Sequence, residues 1–381
     1  MVYRSAMKSG TLPVMAIAFS LQLSAQDHPF VPMFDGESLS GWVNVNTAPS
    51  TWRFEDGLLI CSGKPIGEIR TERMYQNFIM EIEWRHMVPR GNAGIFVWAD
   101  DITARGQPFH RGVEVQVLEN DYGNNRSHTT HGDIFPIHGA TMDPINGRGG
   151  SRAFPTEFRS NPSPQWNHYR ITCIDGSISL AVNGKVVTRG ENASPSNGYI
   201  CLESEGGIVH YRNARIRELP DSPIGSENVA IADRGYRSLY NGIDLEGWRA
   251  DDSWRPSDWN LRFEPEKEPE ASPLTSREGF SDYGFLFDVA FPETNSALEL
   301  QFRGADGAPI RLRPAEDPRL ESLLEPQGRW NRVEGRLEGA TLRLEINGNL
   351  WTLAKFHDAS SGPWIFSPQG PMRFANFYVK P

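Results

Sequence analysis

The chain has 381 residues, too many for one ordinary core, so about two or three domains are expected. Its composition of 38% hydrophobic and 23% charged residues, with 36 Gly and 28 Pro, excludes a disordered chain and points to a turn-rich fold. A net charge of −10 excludes non-specific nucleic-acid binding, which needs a basic face.

In chain order, residues 1–25 read as an export signal. Arg4 and Lys8 make a positive start, residues 11–23 are mostly apolar, and Ser24-Ala25 offers small residues for cleavage. A buried N-terminal helix is the competing reading. No later run reaches the roughly 20 apolar residues of a membrane helix, so no membrane span is expected and the mature protein is placed in the periplasm or outside the cell.

From residue 28 onward, short runs of alternating apolar residues are separated by Gly, Asn, Asp and Pro, as in strands and turns. The clearest are 78–85, 94–98, 113–118, 169–174, 178–182 and 209–216. Asn183-Gly184 reads as a tight hairpin turn. The first domain is taken as 28–220, a linker rich in Pro, Ser and Gly as 221–236, and a second domain as 237–381, with an acidic Pro-rich insertion at 264–273. Three cysteines, Cys61, Cys173 and Cys201, leave at least one free thiol. One disulfide among them is open, and buried inert thiols are the ordinary outcome.

The two domains repeat each other. Phe34-Asp-Gly-Glu-Ser-Leu-Ser-Gly-Trp42 returns as Tyr240-Asn-Gly-Ile-Asp-Leu-Glu-Gly-Trp248. Trp166-Asn167 leads to Asn183-Gly184, and Trp330-Asn331 leads to Asn347-Gly348, over the same 17 residues from Trp to Asn. Tyr211-Arg-Asn213 matches Phe374-Ala-Asn376. Ordered matches of this kind identify a tandem repeat, and the expected fold is all-β, two jelly-roll sandwiches in series.

Phe34-Asp-Gly-x-x-Leu-x-Gly-Trp42, Gly91-Asn-Ala-Gly-Ile-Phe96, Val113-Glu-Val-Gln-Val117, Trp166-Asn167, Asn183-Gly184 and Tyr211-Arg-Asn213 together resemble the 3-keto-disaccharide hydrolase domain family. The resemblance covers about residues 30–219, and the second copy shares only its framework. It implies concanavalin A-like sandwiches, a carbohydrate partner, and action on glycosides oxidised to a ketone at C3. A ketone there acidifies the C2 proton, so a base removes it, the C1 oxygen leaves by β-elimination, and water adds back for net hydrolysis. Such a site needs a base, an acid and a positive group for the enolate. No cofactor is certain, and a divalent metal ion can supply that positive group. The alternatives are a non-catalytic lectin on the same scaffold and a structural partner domain.

Strand parity selects the site residues. Val113, Val115 and Val117 share one face, leaving Glu114 and Gln116 on the other. Glu114 is the first catalytic candidate, joined by His131 and Asp133 from the His-rich stretch 128–138. In the resemblance that stretch forms a loop over the sugar. Gln116, Glu83, Arg70, Trp98 and His138 are the expected substrate contacts, whereas Asn92 and its neighbouring glycines read as a turn. Two positions depart from the family pattern: Trp98 replaces its usual Arg, and Glu203-Ser-Glu-Gly206 its Gln-Asp-His-Gly. In the second copy Arg311 falls where Glu114 stands, and only His357 remains of the histidines. That domain is expected to be structural, ligand-binding or the seat of a homodimer.

Overall fold

The structure, a computed structural model, describes residues 29–122, 131–265, 272–303, 309–355 and 361–381. The export signal, His128, His357 and most of the acidic insertion lie outside the described residues. Alternating apolar residues and turn-forming Asn-Gly pairs produce what their pattern dictates, which is antiparallel strands stacked as two sandwiches. In the first, one sheet carries Asn167–Ile174, Phe78–His86 and Val209–Glu218 at its centre. The facing six-stranded sheet runs Trp42–Val45, Gly67–Thr71, Tyr199–Ser204, Gly94–Ala99, Gly112–Gln116 and Ile134–Ile137. The second sandwich repeats both strand orders, with Trp330–Glu338, Tyr283–Ala290 and Met372–Lys380 central in one sheet and Ala297–Gln301 beside Ile310–Leu312 in the other. Asn183-Gly184 and Asn347-Gly348 both turn with positive φ, at 47° and 87° and at 50° and 78°, the conformation a two-residue hairpin needs.

Each sandwich has its own core. Ile69, Ile82, Trp84, Ile95, Val113, Val115, Tyr169 and Leu202 fill the first, with Trp84 edge-on to Tyr169 at 5.2 Å. Phe285, Phe287, Trp364, Phe366 and Phe377 dominate the second. Cys61 and Cys173 are buried in the first core, and all three cysteines are free thiols, so no disulfide forms. No helix among the described residues is long and apolar enough to cross a membrane.

The sandwiches are joined by the loop between Gly94–Ala99 and Gly112–Gln116. Gly106 donates its backbone N–H to Asp288 Oδ2 at 2.8 Å, and Arg332 Nη2 donates to Thr103 O at 2.9 Å. Asn376 Nδ2 donates to the carbonyls of Ala104 and Gln107 at 3.1 Å and to Asp288 Oδ2 at 2.7 Å. Arg332 completes the cluster on Asp288 with two bonds, at 2.8 and 2.9 Å. Gly106 has φ 67° and lies so close to the Trp330 indole that a β-carbon would run into the ring. The foot of the loop is fixed to the linker, where Asp100 accepts from Ile231 N and Asp101 from Arg234.

Asp288 is wholly buried, and removing it takes a partner from the Arg332 guanidinium, the Asn376 amide and the Gly106 N–H together. Asp288→Ala is expected to cost about 3–5 kcal/mol, the range for a broken buried pair. Chemical denaturation of the intact chain measures this. A loss under about 1 kcal/mol would mean the pair behaves like an exposed one.

Candidate active site

The site lies on the outward face of the first domain's six-stranded sheet. Register sets its membership: Glu68 stands opposite Glu203, Cys201 opposite Phe96, Phe96 opposite Glu114, and Gly94 opposite Gln116. The residues between them, Ile69, Leu202, Ile95 and Val115, point the other way into the core. Glu114 and Gln116 therefore share the face that parity assigned them.

Gly94 lets the neighbouring side chains settle close at the centre of this face. A β-carbon there would fall 2.7 Å from Glu203 Oε2 and 2.8 Å from Glu114 Oε1, so the two carboxyl groups converge over its bare Cα. Glu205 joins from the strand end. Asn92 bridges to it through Nδ2, and Gln116 Nε2 donates to Asn92 Oδ1 at 2.8 Å. On the other flank Arg152 pairs with Asp133 at 3.1 Å and lies over the Phe135 ring.

Like charges gathered out of water resist ionising together. Burial first, then the negative charge of Glu205, pushes Glu114 well above the usual carboxylate range, with Arg152 pulling back. Burial, Glu205 and Glu114 push Glu203 up as well, and Glu203 holds the proton of a hydrogen bond to Glu205. Glu205 is itself raised by burial, while the hydrogen bonds from Glu203 and Asn92 hold it down. Proton-holding and proton-accepting carboxyls thus stand side by side, with a guanidinium at the flank. That is the equipment for acid–base chemistry on a ligand with a developing negative charge.

The remaining expected contacts fall elsewhere. Asp133 is fully buried beside Arg152 and reaches the cluster through it. His131 packs edge-on to Phe158, and Glu119 is the charge that acts on it. Burial lowers it to about 4, so the ring is neutral at pH 7. His138 is also lowered to about 4, by burial and by His110, which puts it near His110 rather than in the acid cluster. Arg70 is on the right face, but its guanidinium is occupied by Asp101 O, Thr71 O and the Tyr199 ring.

Two expectations are corrected. Glu83 lies on the other sheet, tied to Arg212 and Asn213, because its strand belongs to that sheet and exposes the opposite side of the sandwich. Trp98 is wholly buried. A left-handed backbone at φ 56° turns it into the core beside Val97, where its indole donates to Gln76 O, so it offers no ring face to a sugar.

With this geometry in place, comparison with known proteins is informative. Residues 29–217 match the family described as 3-keto-alpha-glucoside-1,2-lyase-like domain. They belong to that family. A 3-keto-disaccharide hydrolase of Bacteroides thetaiotaomicron is 26% identical over 259 residues, covering 52% of this chain and 82% of its own. Among solved structures, a Parabacteroides distasonis protein given as a candidate glycosyl hydrolase is 22% identical, with 50% of this chain and all of that chain covered and a TM-score of 0.39. A carbohydrate-binding module, CBM66 of Bacillus subtilis, is 12% identical over 47% of this chain and 96% of its own, with a TM-score of 0.33.

Within this lyase-like domain, sequence reading missed Arg152 and the Glu68–His110 pair, and it took Asn92 for turn chemistry alone. Glu203 and Glu205 were visible as departures from the family pattern. The alternation Cys201-Leu-Glu-Ser-Glu205 would have put all three polar-facing residues on one side. Arg152 lies outside every strand, and no local pattern announces it.

Raised carboxyls have a measurable consequence. A group that keeps its proton in the folded state contributes stability at low pH. That contribution is lost as pH climbs past the unfolded value, 4.5 for Glu203, towards the folded one. Glu203→Gln removes the ionisable proton while preserving shape, so the variant should be more stable than wild type at pH 7 and equal to it near pH 4. Melting temperatures across that range test this, and a variant less stable at pH 7 would refute it.

Proposed function

We propose that the chain cleaves glycosides carrying a ketone at C3, taking the C2 proton and expelling the C1 oxygen, followed by addition of water. The convergence of Glu114 and Glu203 over Gly94 carries this reading, because it sets a base and an acid side by side on one sheet face. Glu114, whose ionised form Arg152 favours, takes the proton from C2. The C2–H electrons form the C1–C2 double bond, and the C1–O bond breaks. Glu203 gives its proton to the departing oxygen and draws negative charge back onto the carboxyl pair. Arg152 faces the oxygen at C3, where charge develops, and Asp133 holds its guanidinium in place. Water then adds at C1 and a proton returns to C2, giving the free 3-keto sugar.

The kinship of residues 29–217 and the name of the Bacteroides relative support glycoside cleavage in general. The C3 ketone, the elimination step and the residue roles are this proposal's own. The pattern of residues 1–25 supports placing the enzyme in the periplasm or outside the cell.

Incubation with a 3-keto-disaccharide should release monosaccharide. Glu114→Gln and Glu203→Gln should each lower kcat by ~100-fold or more, as expected when general acid–base catalysis is removed. Assays with and without chelator determine whether a divalent ion shares the work of Arg152. Binding of sugar with no product under any metal condition would leave the lectin reading in its place.

A further inference from the structure

Glu68, His110 and Cys201 form a second polar cluster on the same sheet face, one that the acid–base chemistry above does not use. All three are fully buried, and a carboxylate oxygen, a ring nitrogen and the thiol sulfur lie within 4.8 Å of one another. His110 Nδ1 contacts Glu68 Oε2, which also accepts the His110 backbone N–H at 3.1 Å, and Cys201 Sγ is 3.7 Å from the same ring nitrogen. Glu68 Oε1 and His110 Nε2 have no hydrogen-bond partner. Buried polar atoms without partners are uncommon and costly, and an ion held by the Glu68 carboxylate would answer its unpartnered Oε1.

We propose that this cluster is a binding site for a borderline divalent cation of the zinc and cobalt class. One thiolate, one imidazole and one carboxylate are the donor types such ions take, whereas calcium and magnesium prefer oxygen alone. Binding displaces the Cys201 thiol proton and the proton held between His110 and Glu68, and the metal takes the three donors. The other two cysteines are not competitors. Cys61 and Cys173 face the core, whereas Cys201 stands on the opposite side of its strand, beside Phe96. The donors also come from separate pieces of chain. Glu68 and Cys201 lie on neighbouring strands, and His110 sits at the end of the loop that docks on the second sandwich. The metal would therefore staple that loop to the sheet, a structural role independent of turnover.

Cobalt titration of the metal-stripped full-length protein tests the assignment, because a thiolate ligand gives cobalt an intense near-ultraviolet charge-transfer band. Wild type should bind about one equivalent with that band. Cys201→Ser should abolish the band with far-ultraviolet circular dichroism unchanged. Glu68→Gln, which preserves shape, should weaken cobalt binding ~10-fold or more. A wild-type spectrum without the thiolate band overturns the proposal, as does a band that survives in folded Cys201→Ser or a cobalt affinity unaltered in Glu68→Gln. These readings do not depend on sugar cleavage, so the site and the proposed activity can fail separately.

Discussion

The Asp288 carboxylate, sealed from water at the meeting of the two sandwiches, is the interaction on which the rest of the molecule depends. A lone buried carboxylate would be ruinous, and here Arg332, Asn376 and the Gly106 amide answer it at once. The amide belongs to the other domain, so the set of donors around the acid is complete only when the loop of the other sandwich is seated. Docking is thereby made specific, since the seat takes a glycine that lies against the Trp330 ring while pointing its N–H at the acid. The same loop ends at His110 and Arg111 on the face of the lyase-like sheet. The second sandwich, lacking a carboxylate where Arg311 replaces Glu114, thus fixes the geometry of the first.

Beside that loop the acid cluster obeys the opposite logic. Its carboxyls are gathered so that they cannot all be answered by positive charge, and Arg152 is shared with Asp133. The protein tolerates the arrangement by letting a proton on Glu203, rather than a further arginine, neutralise part of the charge. A residue with a β-carbon at position 94 would drive these carboxyls apart, so the glycine keeps two like groups close together. The cost in stability lies in the folded state and, under the proposed function, the benefit lies in the reaction, which is the usual balance at sites of perturbed ionisation.

How much of this is legible in the sequence follows from which signals are local. Strand alternation is local, and it placed Glu114 and Gln116 on the correct face. The Asn-Gly turns are local too, and the repeat of Trp-Asn with Asn-Gly reported both sandwiches with the same strand order. Alternation does not say which sheet a strand joins, and so Glu83, equally well patterned, was placed on the wrong side of the molecule. It also presumes an unbroken strand, and the single left-handed residue at Trp98 reverses that ring into the core. Arg152 and His110 arrive from loops, where position comes from long-range docking that no window of sequence contains.

The repeat itself shows how one surface can be put to two uses. On the first sandwich, Glu83, His168 and Asn213 occupy the register that Asp288, Arg332 and Asn376 occupy on the second. Asn213 and Asn376 both sit at a bulge with positive φ, at 53° and 55°, and both donate to the neighbouring carboxylate. In the second copy a shorter acid and a longer cation make a largely buried seat for a backbone turn. In the first copy Arg212 takes the place of Ala375 and folds over Trp166 with Arg85, so the acid is answered from within its own sheet. The two sandwiches therefore diverged on both faces. One carries acids on its six-stranded sheet and answers the acid of its opposite face from within that face. The other lost those acids and turned its corresponding face into the seat that holds its neighbour.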